Sequence, residues 1–153
     1  MVPASQTRRL PGAVLFACGQ NAVRSPMAAA LMRQQMGRRV YVASAGVRQG
    51  ELNHLAVEVM AEIGIDIAGH QPQTFKDLHD TSFDLVISLA PEAHHHAVEM
   101  TRTMAIEAEY WPTPDPTAAL GNREQQLQAF RAVRDDLRQR IREHFAESAP
   151  PNP

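Results

Sequence analysis

The chain has 153 residues, a formal net charge of −2 and a single cysteine. That length suits one hydrophobic core, and the near-balanced charge offers no basic patch or tail for nucleic acid. One cysteine excludes an internal disulfide framework and fits a reducing, cytoplasmic compartment, and no apolar run approaches the roughly 20 residues of a membrane span.

Residues 1–11 read as a flexible leader. Arg8-Arg9 ahead of an apolar stretch resembles a secretion signal, but Pro11-Gly12 interrupts it and leaves five apolar residues before Cys18. A signal core needs about 7–15. Residues 13–17 form a short apolar run bounded by turn residues, the pattern of a buried parallel strand. From Ser25 the spacing turns helical, with Pro26 in the first turn and apolar positions continuing to Met36 before Gly37. A second strand is predicted over 39–44. Asn53 caps a predicted helix through Ile63, with Leu55, Val59 and Met60 on one face and Gly64 at its end. Residues 72–78 read as a connector with one short helical turn. Residues 83–89 read as a central strand, 91–101 as a helix and 106–110 as a short strand. The last helix is predicted over 122–146, with Leu127, Phe130, Val133, Leu137, Ile141 and Phe145 on its apolar side. Arg131 with Asp135, and Asp136 with Arg140, are spaced to pair on its wet side. Residues 147–153 are a proline-rich tail, expected to be flexible.

This alternation predicts a single α/β domain over residues 12–146. Its core is a small parallel sheet of about four strands with helices on both faces. Ligands in such sheets bind beyond the carboxyl ends of the strands. Cys18 falls there, between a strand end and a helix N-terminus. Unpaired N–H groups at a helix N-terminus attract anions and favour a thiolate, the nucleophilic form of cysteine. Arg24 adds a planar fork that can grip two oxygens of a phosphate or arsenate. Cys18-x5-Arg24 in this context therefore reads as an oxyanion-binding nucleophile. His94-His95-His96 does not read as a metal site. Adjacent residues diverge on a helix, whereas metal pairs need three- or four-residue spacing. That triple is expected on a solvent-facing helix, and His54 and His70 are expected in packing or loop positions. No metal or cofactor is expected.

The segment Cys18-Gly19-Gln20-Asn21-Ala22-Val23-Arg24-Ser25-Pro26 resembles the signature loop of the low-molecular-weight protein tyrosine phosphatases, a superfamily that includes thiol-dependent arsenate reductases. Further likeness lies in Ser44-Ala45-Gly46, in Glu62-Ile63-Gly64-Ile65-Asp66 with His70, and in Tyr110-Trp111-Pro112-Thr113-Pro114-Asp115-Pro116. The resemblance implies that Cys18 is the nucleophile, that Arg24 and the amides of residues 19–25 hold the oxyanion, and that Asp115 is the general acid and base. It implies that Ser25 supports the thiolate, Asn21 shapes the loop and Ser44 buttresses Asn21. A phosphorylated protein or small aryl phosphate is then the substrate, and inorganic phosphate, vanadate or arsenate the expected oxyanion ligands.

Departures from the family bear on the substrate. Phosphotyrosine-specific members resemble one another in aromatic walls, but Val47-Arg48-Gln49-Gly50-Glu51-Leu52 has none. Asp115-Pro116 is followed by Thr117-Ala118-Ala119. Residues 44–70 look more like the arsenate-reductase branch. Yet Ser88-Leu89-Ala90 and the residues beyond hold no thiol for an internal relay, and an alanine stands at position 90 where many relatives carry an acid. Three readings follow: a phosphatase, an arsenate reductase or arsenate–thiol transferase using an external thiol, and a non-catalytic oxyanion- or partner-binding module.

Overall fold

The computed structural model describes residues 10–78 and 82–145. The tail expected over 147–153 lies outside them, as does the leader apart from Leu10 and Pro11. Four parallel strands form one sheet: β1 (Ala13–Cys18), β2 (Tyr41–Gly46), β3 (Leu85–Ser88) and β4 (Glu107–Tyr110), in the spatial order β2-β1-β3-β4. The helices are α1 (Arg24–Met36), α2 (His54–Ala61), α3 (Pro91–Met100) and α4 (Arg123–His144).

Strand β1 is central, and its alternation divides the core. Val14 and Phe16 face the side packed by α1, α2 and α4, with Met27, Val59, Phe130, Leu137 and Ile141. Leu15 and Ala17 face the other side, with Ala93 and Ala97 of α3 and with Phe75. The expected single α/β architecture with helices on both faces is what the chain adopts. The edge strand β4 reads Glu-Ala-Glu-Tyr and is only partly buried, and its acidic side chains discourage further strand pairing.

Element ends differ from the sequence pattern where turns intervene. Gly37 takes a positive φ of 60°, and Gly37–Arg39 form a short 3-10 turn. That turn delays β2 to Tyr41. The strand then runs to Gly46, and Cys18 and Gly46 are register partners. Helix α2 closes at Ala61, earlier than Ile63, and Gly64 turns the chain at φ 80°. The expected helical turn in the 72–78 connector lies at Phe75–Asp77, with reciprocal capping between Thr74 and Asp77. Caps at Asn53 and Asn122 fix the starts of α2 and α4.

The histidine triple is not uniformly exposed. His94 stacks on Tyr110 with centroids 4.7 Å apart, His96 stacks on Phe75 at 4.1 Å, and only His95 is exposed. Each of the two stacked rings covers an aromatic neighbour.

Pairing along α4 also departs from the local pattern. Asp136 and Arg140 meet at 3.1 Å as spaced. Arg131 turns instead to Glu62 at 2.7 Å and Glu124 at 2.8 Å, while Asp135 takes Arg134. Arg134 also reaches Glu62 Oε1 at 2.8 Å and donates to the Val59 carbonyl at the end of α2. For Arg131, Glu62 on the neighbouring segment outbids Asp135 because it offers a two-pronged contact with less exposure. Arg131 first, and Arg134 next, hold the Glu62 carboxyl well below the usual range, at about 2.

A depressed carboxyl contributes stability above its unfolded pKa and loses it as the pH falls toward the folded one. Wild type is therefore expected to exceed Glu62→Gln in stability at neutral pH. The gap should close progressively below about pH 4.5, toward pH 2. Urea midpoints of both proteins across that range check this; a gap independent of pH would remove Glu62 ionisation as its source.

Candidate active site

Strand β1 ends in Cys18, and residues 19–23 return the chain to the start of α1. The segment after β2 shapes this loop through main-chain bonds. Val47, Arg48 and Gly50 donate their amides to the carbonyls of Cys18, Gly19 and Gln20 at 3.1, 2.8 and 2.9 Å, and Asn53 donates to Ala22 at 3.1 Å. In a trans peptide plane the N–H points opposite to the C=O. The amides of Gly19, Gln20, Asn21 and Val23 are thus turned away from the residue 47–53 segment. That close docking requires Gly46, because a Cβ there would lie 2.7 Å from both Asn21 N and Arg48 O.

Asn21 holds the loop's turn. It adopts a left-handed φ of 57° and is wholly buried, a conformation asparagine tolerates better than most residues. Its Nδ2 donates to Ser25 Oγ and to Ser44 Oγ, each at 2.9 Å. Its Oδ1 accepts from Gln73 N at 2.9 Å and lies 3.1 Å from His70 Nε2. The same ring nitrogen lies 3.1 Å from the Asn21 carbonyl. Both partners are acceptors, so Nε2 carries the proton. Burial pushes the His70 pKa down, which favours this neutral ring. Ser25 Oγ accepts from Asn21 and lies 2.9 Å from Cys18 Sγ, so its own proton is available to the sulfur.

The cleft above this loop has a volume of about 200 Å³ and is lined by Cys18, Arg24, Arg48, Glu51, Glu92, Asp115 and Thr117 among others. No aromatic side chain is among the described residues lining it. Arg24 donates to the Thr113 carbonyl at 2.9 Å, tying α1 to the segment that carries Asp115. That segment continues the pairing of β4 with β3, through Trp111 N to Ser88 O and Thr113 N to Leu89 O. Asp115 caps a short 3-10 turn: its Oδ1 accepts from Thr117 N at 2.9 Å and Thr117 Oγ1 at 2.7 Å. Asp115 thus both caps this turn and lines the cleft. Across the mouth, Arg48 and Glu92 form a two-pronged ion pair at 2.7 and 2.8 Å.

The structure therefore brings Cys18, Arg24 and Asp115 to one cleft and links Asn21, Ser25 and Ser44 beneath it. His70, Gln73, Thr113, Thr117, Arg48 and Glu92 complete the arrangement. The sequence pattern placed His70 in a packing or loop position, and its bonds to Asn21 give that position a part in shaping the loop. Arg48 and Glu92 stand 44 residues apart, with no local signal to join them.

A family model described as low molecular weight phosphotyrosine protein phosphatase matches residues 13–149. An arsenate reductase of Bacillus subtilis is 34% identical over 135 residues, covering 88% of this chain and 95% of that protein. Among solved structures, an arsenate reductase in a phosphate-binding state aligns with a TM-score of 0.70 at 28% identity, covering 84% of this chain and 92% of that one. An arginine phosphatase from Geobacillus stearothermophilus aligns with a TM-score of 0.72 at 28% identity, covering 87% and 90%.

If the Ser25 hydroxyl supports the sulfur anion, Ser25→Ala should slow alkylation of Cys18 by iodoacetamide about tenfold at neutral pH, the scale of one charge-assisted hydrogen bond. Asn21→Ala should slow it too, since Ser25 then loses the donor that orients it. Unchanged alkylation rates in both variants would mean that this chain of hydroxyl and amide does not act on the thiol.

Proposed function

We propose that this chain, which belongs to the low molecular weight phosphotyrosine protein phosphatase family, hydrolyses phosphotyrosine or small aryl phosphate monoesters through a cysteinyl-phosphate. The observation that carries this reading is the convergence of Cys18, Arg24 and Asp115 on one cleft.

In the first step the Cys18 thiolate attacks phosphorus in line. The S–P bond forms, the P–O ester bond breaks, and the leaving oxygen takes a proton from Asp115. The amides of residues 19–25 and the Arg24 guanidinium hold the equatorial oxygens as charge shifts among them. Arg24 has further N–H donors for these oxygens beside the one bonded to the Thr113 carbonyl. In the second step water attacks phosphorus, Asp115 takes its proton, the S–P bond breaks and phosphate leaves. Thr117 fixes one Asp115 oxygen, so the second is the one to carry the proton. With no aromatic side chain among the described residues lining the cleft, recognition rests on the phosphate more than on a ring. No helix among the described residues is long and apolar enough to cross a membrane.

A second reading is arsenate reduction, favoured by the name of the Bacillus subtilis relative. Cys18 would form an S–As bond with arsenate, releasing water. Reducing As(V) to As(III) takes two electrons, and closing a disulfide on Cys18 supplies them. The chain holds one cysteine, so the second sulfur must come from an external small thiol or a redoxin.

Assays of p-nitrophenyl phosphate, and of arsenate with glutathione and a redoxin couple, separate the readings. Phosphate release by wild type, lost in Cys18→Ser, is the expected result; thiol-dependent arsenite formation without phosphate release would transfer the chain to the second reading. Silence in both, with oxyanion binding kept, would leave a binding module. Cys18→Ser should still bind phosphate, whereas Arg24→Ala should lose binding and turnover together. Asp115→Ala should slow esters of poor leaving groups by roughly 10²–10⁴, the usual worth of general acid catalysis. Activated esters should suffer less, and equal losses would exclude Asp115 as the acid.

A further inference from the structure

Glu92 stands in the first turn of α3, and Arg48 follows β2. Their ion pair lies on Gly19, the residue after Cys18. A Cβ at Gly19 would be 2.7 Å from Glu92 Oε1 and 3.5 Å from Arg48 Nη2. Both side chains line the same cleft as Cys18 and Arg24. The hydrogen bond from Arg48, and more weakly the charge of Arg24, hold the Glu92 carboxyl below its ordinary range. Glu92 thus pairs with Arg48 in a cleft that Arg24 also lines, and an incoming tetrahedral dianion needs those same two cations.

We propose that Glu92 is a resident counter-anion that sets the affinity of the loop for free oxyanion, by withholding Arg48 from the ligand. The inference rests on the reading that residues 18–25 bind an oxyanion. Its consequence is that inorganic phosphate is held less tightly than two free guanidinium groups would hold it, which favours its release from the cleft. Arg48 in turn cancels the repulsion that a bare Glu92 carboxylate would exert on the ligand. The two residues therefore have opposite signs of effect. A purely mechanical clamp between the residue 47–50 segment and α3 would instead lose the same bond whichever partner is removed.

Calorimetric titration of inorganic phosphate into wild type, Glu92→Gln, Arg48→Gln and the double variant tests this without requiring turnover. Glu92→Gln should tighten phosphate binding about three- to tenfold, the scale of one charge acting across a solvated cleft mouth. Arg48→Gln should weaken binding, the double variant should return near the wild-type value, and 1 M salt should shrink every difference. Both positions are substantially exposed, at 57% and 45% of their side chains, and unchanged melting temperatures would verify that folding is intact. Single-variant shifts in the same direction, or no shift, overturn the counter-anion role while leaving oxyanion binding standing. No phosphate binding by wild type overturns both.

Discussion

The structure of the cleft depends on one buried amide. Asn21 is wholly buried, and its side chain meets four partners: Ser25 and Ser44 at Nδ2, Gln73 and His70 at Oδ1. A buried amide left half-paired costs about 1–3 kcal/mol per missing partner. Here none is missing, so the costly left-handed backbone at this position is held from four directions. Those directions are distinct parts of the chain: α1, β2 and the two contacts at His70 and Gln73. The loop around Cys18 is therefore not a local turn that happens to lie on a sheet. It is a joint between separate elements, and its curvature is decided by their meeting.

Hydrogen-bond polarity then carries this geometry to the sulfur. The proton on His70 Nε2 and the Gln73 amide assign Oδ1 of Asn21 as the acceptor end. Nδ2 must then donate to Ser25, and Ser25 can turn its own proton to Cys18. A neutral His70, favoured by its burial, suits this role because either acceptor partner needs only one N–H. The second serine, Ser44, lies in β2 opposite Phe16. The late start of β2 therefore matters: two residues of 3-10 turn after Gly37 let the strand run on to place Gly46 beside Cys18.

What could be read from the sequence was what lies within one element or one turn. The β1 run, the Cys18–Arg24 spacing, Pro26 in a first turn and the apolar stripe of α4 each express a local periodicity. So did the caps at Asn53 and the end of α2 near Gly64. What could not be read was choice among long-range partners. Arg131 is correctly spaced for Asp135, yet Glu62, 69 residues away, offers it a two-pronged contact. His94 and His96 carry no sign in the sequence that Tyr110 and Phe75 would stack on them. Asp115 reads equally as a turn residue and as an acid, because local geometry makes it the first and only its neighbours across the cleft could make it the second.

The division between loop and rim bears on the chemistry. Phosphate and arsenate are near-isosteric tetrahedral anions, so a loop built from amide N–H groups and one guanidinium cannot choose strongly between them. Choice has to come from what approaches the sulfur adduct next. For hydrolysis that is water with a base beside it, and Asp115 on its proline-flanked turn is the rim group of the right kind. For reduction it is a second sulfur, which this chain does not contain. A rim of Arg48, Glu51, Glu92, Asp115 and Thr117 is built of polar side chains. Water reaches such a rim from solvent, whereas the second sulfur comes from an external small thiol or a redoxin. The two proposed routes thus share the loop and part at the second step, where one draws on water beside Asp115 and the other on a sulfur from outside the chain.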